Sequence, residues 1–286
     1  ILQPMFEQKD DEIPVSAFSE IGLENGEFPS GTTEYEKRGI ALNVPEWQMD
    51  NCIQCNQCSY VCPHAVIRPF LVTEEEKANA PENFDTKKAI GKGMDEYEFR
   101  IQVSPLDCTG CGNCADICPA PKKALLMKPF DQQVEEQKEN WAYAHEEVGY
   151  KEDVMDDKNL KGSQFKQPLL EFSGACAGCG ETPYAKLVTQ LYGDRMYIAN
   201  ATGCSSIWGA SAPSMSYTKN LATGKGPAWG NSLFEDAAEY GYGMKIAAES
   251  NKYLIESYMN KFLDLGIESP FNEAFKLWIE GKDDVN

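Results

Sequence analysis

The apolar positions change period along the chain, and the changes divide it. From Tyr97 to Val103 apolar and polar residues alternate, as in a half-buried strand. Further on, Tyr184, Leu187, Val188, Leu191 and Tyr192 recur at helical spacing. Thr182 supplies a cap, Pro183 a first helical position and Gly193 a stop. Met196-Tyr197-Ile198-Ala199 reads as a buried strand ended by Thr202-Gly203. Helix, strand and glycine turn together make an α/β pattern. A Gly- and Ser-rich stretch runs from Gly203 to Asn231. A long helix follows it, with Leu254, Ile255, Tyr258, Met259, Phe262 and Leu263 on one stripe, read as core packing, and Gly266 as its stop.

Other segments lack such periods. Residues 1–47 are rich in turn formers and read as an arm or a linker from an upstream domain. Residues 71–96, charged and loop-like, read as an insertion. Residues 131–167 are strongly acidic and read as a solvated linker or surface helix. The chain starts on Ile1, so it is expected to be an internal piece of a longer polypeptide or a processed product.

Cysteine gives the chain its chemistry. Cys52-x₂-Cys55-x₂-Cys58-x₃-Cys62-Pro63 returns as Cys108-x₂-Cys111-x₂-Cys114-x₃-Cys118-Pro119, every cysteine shifted by the same interval. Both copies run on to a basic residue, Pro and Phe, at Arg68-Pro69-Phe70 and Lys128-Pro129-Phe130, so the segment is an internal duplication. The spacing is that of two-cluster bacterial ferredoxins, in which the fourth cysteine of each run ligates the other cluster. Cys52, Cys55, Cys58 and Cys118 are therefore expected on one [4Fe–4S] cube, and Cys62, Cys108, Cys111 and Cys114 on the second. Gly110 and Gly112 would let the backbone approach the sulfides. A zinc ribbon has no need of the third cysteine in each run, and a redox dithiol needs a single pair. Cys176-x₂-Cys179 with Cys204 is one ligand short of a closed site. Spacing alone leaves a third cluster, a partial zinc site and buried thiols all open.

Several other readings fail. Gly224-Lys225-Gly226 lacks the P-loop pattern. Two histidines, His64 and His145, support no hydrolase triad, and His64 is expected merely to pack beside its loop. With 26 Lys and Arg against 45 Asp and Glu, the net charge is −19, which disfavours nucleic acid and anionic membrane surfaces as partners. Thiolate ligands in this number imply a reducing, cytoplasmic setting.

Longer strings carry a family likeness. Gly39-Ile40-Ala41-Leu42-Asn43-Val44-Pro45-Glu46-Trp47, the first cysteine run through Pro69, Cys176-Ala177-Gly178-Cys179-Gly180-Glu181-Thr182-Pro183-Tyr184, and Gly224-Lys225-Gly226-Pro227-Ala228-Trp229-Gly230-Asn231 through Asp236 resemble pyruvate:ferredoxin (flavodoxin) oxidoreductase. The resemblance runs from about residue 16 to the end of the chain. It implies an α+β ferredoxin-like domain with two [4Fe–4S] clusters and an insertion at 48–130. Part of an α/β thiamine-diphosphate-binding domain would follow at 168–286. It further implies a third [4Fe–4S] cluster on Cys176, Cys179 and Cys204, its fourth ligand outside the chain. Glu181 and Cys204 would contact thiamine diphosphate, which Mg²⁺ accompanies in the complete protein. The family's Mg²⁺-holding Gly-Asp-Gly has no counterpart here, so catalytic residues stay unassigned and the isolated chain is expected to be inactive. The implied reaction oxidises pyruvate with coenzyme A to acetyl-CoA and CO₂. Its electrons pass through the clusters to ferredoxin or flavodoxin, in a protein that is a homodimer at full length. The rival readings are a related oxidoreductase acting on 2-oxoglutarate or an aryl pyruvate, an autonomous ferredoxin-type carrier, and a zinc-binding scaffold.

Overall fold

A computed structural model describes residues 1–211 and 213–283, so Ala212 and the last three positions of the expected 168–286 segment lie outside it. The chain forms two compact units, residues 1–198 with 202–229, and residues 199–201 with 230–286. Among the described residues no helix is long and apolar enough to cross a membrane.

The larger unit is organised by two reciprocal strand pairs. Strand β1 (Asn43–Trp47) enters the first cysteine run. Strand β2 (Ile67–Val72) leaves it after the short helix α1 (Gln57–Tyr60). Two-residue β3 (Lys87–Lys88) lies in the insertion. Strand β4 (Glu98–Val103) enters the second run, and β5 (Leu125–Pro129) leaves it after helix α2 (Asn113–Ile117). The entering strand of each half pairs with the leaving strand of the other. β1 runs antiparallel to β5, from Asn43 opposite Pro129 to Trp47 opposite Leu125. β2 runs antiparallel to β4, from Ile67 opposite Val103 to Val72 opposite Glu98, and β3 adds to the far side of β4. The ladders continue toward the cysteines: Gln48 N donates to Ala124 O at 2.8 Å and Ser104 N to Val66 O at 2.7 Å.

Alternation along β4 predicts one wet face, and the structure covers it. Arg100 and Gln102 are buried with Phe99, Ile101 and Val103. The cover is helix α3 (Val134–Tyr143), inside the segment expected as an acidic linker. Its acids face water, while Gln137, Asn140 and Trp141 are buried. Gln137 Nε2 reaches Pro45 O at 3.1 Å, and Gln102 Nε2 reaches Gln137 O at 3.2 Å. A π-helical turn over Ala144–Val148 then buries Ala144, His145 and Val148. The acidic segment thus forms a surface helix whose inner side joins the core, because a few apolar and amide side chains among the acids are placed to close the polar face of the sheet.

Residues 31–36, in the stretch expected as an arm, also pack inward. Thr32 and Thr33 are buried; Thr33 Oγ1 donates to Glu171 O at 3.0 Å, and Thr32 Oγ1 accepts from Met215 N at 2.8 Å. In strand β2, Arg68 is buried beside Pro69 and Phe70. Its Nε donates to Ala65 O at 2.6 Å, and its two terminal nitrogens bond Tyr150 and Glu171. Trp141 lies 5.1 Å and Phe172 5.3 Å from the guanidinium. Burial works against the charge, but Tyr150 and Glu171 outweigh it and hold the pKa of Arg68 above its ordinary value.

Helix α4 (Thr182–Tyr192) forms where its spacing places it, with Glu181 as the cap residue and Thr182 as the first helical residue. Its buried face is polar: Thr182, Lys186, Thr189 and Gln190, one helical stripe. Hydrogen bonds choose that face. Thr189 Oγ1 accepts from Leu169 N at 3.2 Å, and Gln190 Nε2 donates to Lys166 O at 2.9 Å. Strand β6 (Tyr197–Ala201) and helix α5 (Cys204–Gly209) follow.

In the smaller unit, helix α6 (Ala237–Asp264) ends beside Gly266 at φ 62°, as expected. Its apolar stripe does not pack as a core: no residue of α6 is buried, and Leu254, Ile255 and Tyr258 are exposed. The end of the stripe is engaged where Phe262 meets Phe275 of helix α7 (Asn272–Gly281), ring centroids 5.7 Å apart. A single short helix offers too little surface to cover the whole of a 28-residue helix.

Breaking the Arg68–Glu171 pair from one side leaves a buried charge without its counter-ion, a change that costs about 3–5 kcal/mol. Glu171→Ala is expected to lower stability by that order in urea unfolding, and Arg68→Met with Glu171→Met to recover much of it.

Candidate iron–sulfur site

The reciprocal pairing carries the end of each cysteine run to the start of the other. Cys52, Cys55, Cys58 and Cys118 line one cavity, with Trp47, Ile101 and Leu125 among its walls. Cys62, Cys108, Cys111 and Cys114 line a second, with Pro45, His64 and Val66. Among the described residues no three Cys, His, Asp or Glu side chains converge as they would on a single metal ion. The thiols of each quartet instead ring a space, as a multi-atom group requires.

Backbone conformation repeats between the halves. Gly110 (φ 69°) and Gly112 (φ 83°) stand in the second run where Gln54 (φ 58°) and Asn56 (φ 60°) stand in the first. All four adopt the left-handed region, which turns amide N–H groups inward: Gln54 N lies 3.4 Å from Cys52 Sγ, and Gly110 N 3.4 Å from Cys108 Sγ. At Gly110 the space is also closed, since an added Cβ would sit 2.8 Å from Asn43 O. In the first run two non-glycine residues hold the strained conformation because their buried amides are tied elsewhere. Gln54 Nε2 donates to Lys88 O at 2.7 Å, and Gln54 Oε1 accepts from Ile90 N at 2.8 Å. Asn56 Nδ2 donates to Lys161 O at 2.9 Å. The insertion and the acidic segment therefore brace the first cysteine loop, a role that spacing did not indicate.

Some residues lining these spaces carry buried polar atoms without partners. Trp47 Nε1 and Asn56 Oδ1 belong to residues lining the first cavity, His64 Nε2 and Thr109 Oγ1 to residues lining the second. The indole N–H and the threonine hydroxyl are donors that a sulfide or thiolate would satisfy. A third sulfur has its donor already, with Ala124 N 3.4 Å from Cys118 Sγ.

Electrostatics points the same way. Burial, then the nearness of Cys52 and Cys55, pushes the Cys58 thiol up, and Cys118 adds to the effect. Burial pushes Cys108 up to about 12, with Cys62 and Cys111 contributing. Cys114 rises for the same reasons, burial first and Cys62 next. Thiols held up in this way are protonated at neutral pH, so a metal group bound there would displace their protons.

Charged and aromatic neighbours complete the surroundings. His64 packs as expected, with Nδ1 3.0 Å from Ser173 O, and burial holds it below its usual pKa. Lys87 Nζ donates to Met49 O at 2.8 Å and Cys52 O at 3.1 Å. Lys186 of α4 is fully buried; its ammonium donates to Ser59 O and, at 3.2 Å, to Tyr60 O. Burial lowers its pKa to about 8, the nearness of Cys62 opposing the shift. Neither lysine was singled out from sequence.

The third cysteine group is less assembled. Cys179 N donates to Cys176 O at 3.0 Å in a tight turn, and a Cβ at Gly178 would lie 3.7 Å from Cys111 Cβ, so this turn sits against the second cysteine loop. Cys176 and Cys204 are exposed, and Cys204 opens α5. Glu181 is exposed at the cap of α4. Its charge reaches Tyr217, which burial first and Glu181 second push up to about 12.

A family model described as a 4Fe-4S dicluster domain matches residues 51–124, and one described as a domain of unknown function matches residues 1–41. The chain is 56% identical, over its whole length, to a pyruvate:ferredoxin oxidoreductase from Moorella thermoacetica, of which it covers 24%. It is 54% identical over 99% of its length to a pyruvate-flavodoxin oxidoreductase from Enterobacter agglomerans, again covering 24%. A pyruvate dehydrogenase [NADP(+)] from Cryptosporidium parvum is 51% identical over the whole chain, which covers 14% of it. The chain thus spans about a quarter or less of the length of these curated relatives.

Gly110→Ala should force the second cysteine loop off Asn43, at a cost of about 1–3 kcal/mol. Lowered iron retention on dilution into chelator, measured against the unaltered protein, is the expected outcome.

Proposed function

We propose that this chain, which belongs over its whole length with the pyruvate:ferredoxin and pyruvate-flavodoxin oxidoreductases, is the electron-carrying segment of an enzyme that oxidises pyruvate. One observation carries the reading: two cysteine quartets, each drawn from both halves of a duplicated motif, ring two separate cavities inside a 4Fe-4S dicluster domain. We assign Cys52, Cys55, Cys58 and Cys118 to one cluster and Cys62, Cys108, Cys111 and Cys114 to the other. In this reading residues 48–130 are the ferredoxin-like body, and 131–167 brace it.

The donor side lies at Cys176, Cys179 and Cys204, which would hold a third cluster. The packing of the Gly178 turn against Cys111 supports an order. Electrons would pass from the third cluster to the Cys62/Cys108/Cys111/Cys114 cluster and then to the Cys52/Cys55/Cys58/Cys118 cluster. Beside the last of these, Ile53 is exposed. The overall reaction is pyruvate plus coenzyme A to acetyl-CoA, CO₂, a proton and two electrons. Thiamine diphosphate with Mg²⁺ supplies the carbon chemistry when bound. Toward that group the chain offers Glu181, a carboxylate placed at the start of α4, and the exposed Cys204; residues 168–229 carry these positions. The natural acceptor is a ferredoxin or flavodoxin, the partners named for two of the relatives. The NADP(+) in the name of a third favours the same wire feeding a different terminal acceptor.

Iron analysis of the anaerobically purified native protein tests the count, with about twelve iron atoms per chain expected for three cubes. About eight would point to an autonomous two-cluster carrier. Cys118→Ala is expected to remove the paramagnetic signal of the cluster on Cys52, Cys55 and Cys58; loss confined to the Cys108–Cys114 cluster would reverse the assignment.

A further inference from the structure

Helix α4 buries a lysine where its sequence pattern leads to no such expectation. Lys186 is 1% exposed. Its ammonium is held by the carbonyls of Ser59 and Tyr60, at the end of helix α1. That helix joins Cys58, in the first quartet, to Cys62, in the second. Lys186 therefore stands at the link between the two cavities, with Cys62 and Cys58 among the groups its charge meets. Both of its hydrogen-bond partners are neutral. The nearby buried cation, Arg68, already has Glu171 as counter-ion. A buried ammonium held by carbonyls alone is costly unless an anion compensates it. Next to Lys186, the groups that become anionic are the cysteine quartets themselves once they carry iron.

We infer that Lys186 is the shared counter-charge of the two clusters, fixed between them to favour their reduced states. Each cluster gains one negative charge when it takes an electron. A fixed positive charge in a dry setting stabilises that form, because reduction potential follows net charge and exposure. The same ammonium ties α4, and with it Glu181 and the Cys176–Cys179 turn, to the loop between the clusters. It is a positioning residue: it touches ligand-loop carbonyls, and its effect on the clusters runs through charge. The inference rests on the assignment of both quartets to clusters.

The test compares Lys186→Met and Lys186→Arg with the unaltered native protein, anaerobically purified with its clusters. Iron content and electron-paramagnetic-resonance redox titration are the two readouts. Lys186→Met should retain both signals and disfavour reduction of at least one cluster about tenfold, a shift of ~59 mV for one electron. Lys186→Arg, which keeps the charge, should stay close to the unaltered protein. Should Lys186→Met lose its clusters while Lys186→Arg keeps them, the charge is needed to hold the anionic groups, which also supports the inference. Retained clusters with unshifted potentials in Lys186→Met would overturn it, as would equal loss of iron in both variants, which marks a packing role. Absence of the two dicluster signals from the unaltered protein would instead sink the cluster assignment on which the inference stands.

Discussion

The reciprocal pairing of β1 with β5 and of β2 with β4 is the constraint on which the rest depends. Each strand that enters a cysteine run is hydrogen-bonded to the strand that leaves the other. With registers fixed at Trp47–Leu125 and Ile67–Val103, the chain has little freedom left between strand and cysteine. Cys118 is brought to the first loop and Cys62 to the second. Neither quartet can form unless both halves fold together, so iron binding and folding of the duplicated body are expected to be linked.

That arrangement concentrates costs in a small volume. Two non-glycine residues, Gln54 and Asn56, sit in left-handed backbone, and sulfurs crowd where burial disfavours their charged form. The compensation comes from outside the duplication. The insertion fixes Gln54 through Lys88 and Ile90, the acidic segment fixes Asn56 through Lys161, and α3 seals the polar face of β4. Arg68 then ties β2 to Glu171, at the start of the segment that leads to the third cysteine group. Residues that look like spacers in one dimension are the braces of the site in three.

Charge is distributed with the same economy. A chain of net charge −19 keeps most of its acids outside and buries three cations, Arg68, Arg100 and Lys186. Arg68 is neutralised by a carboxylate and works as structure. Among the described residues Lys186 donates to the carbonyls of Ser59 and Tyr60, and the proposed clusters would supply its counter-charge. Arg68 and Lys186 thus differ in partner and hence in role.

The cysteine spacing, the interval between the copies, the strand at 98–103, the helix at 182–192 and the C-terminal half of the helix ending at Asp264 were legible from sequence, because they depend on local geometry: ligand reach, period and turn residues. The likeness to a pyruvate-oxidising family was equally legible in short strings of identical residues. Burial was not. The apolar stripes of α4 and α6 predicted inward faces; α4 instead buries its polar stripe and α6 buries nothing, because hydrogen-bond partners and available surface, not period, choose the face. The acidic segment read as solvated because its few inward residues are outvoted in any window. Gln54, Asn56, Glu171 and Lys186 carry no local signature at all. Sequence alone determined which cysteines repeat at ligand spacing; tertiary structure decided how they gather into two quartets and what steadies and surrounds them, since a hydrogen bond across a hundred residues has no period to read.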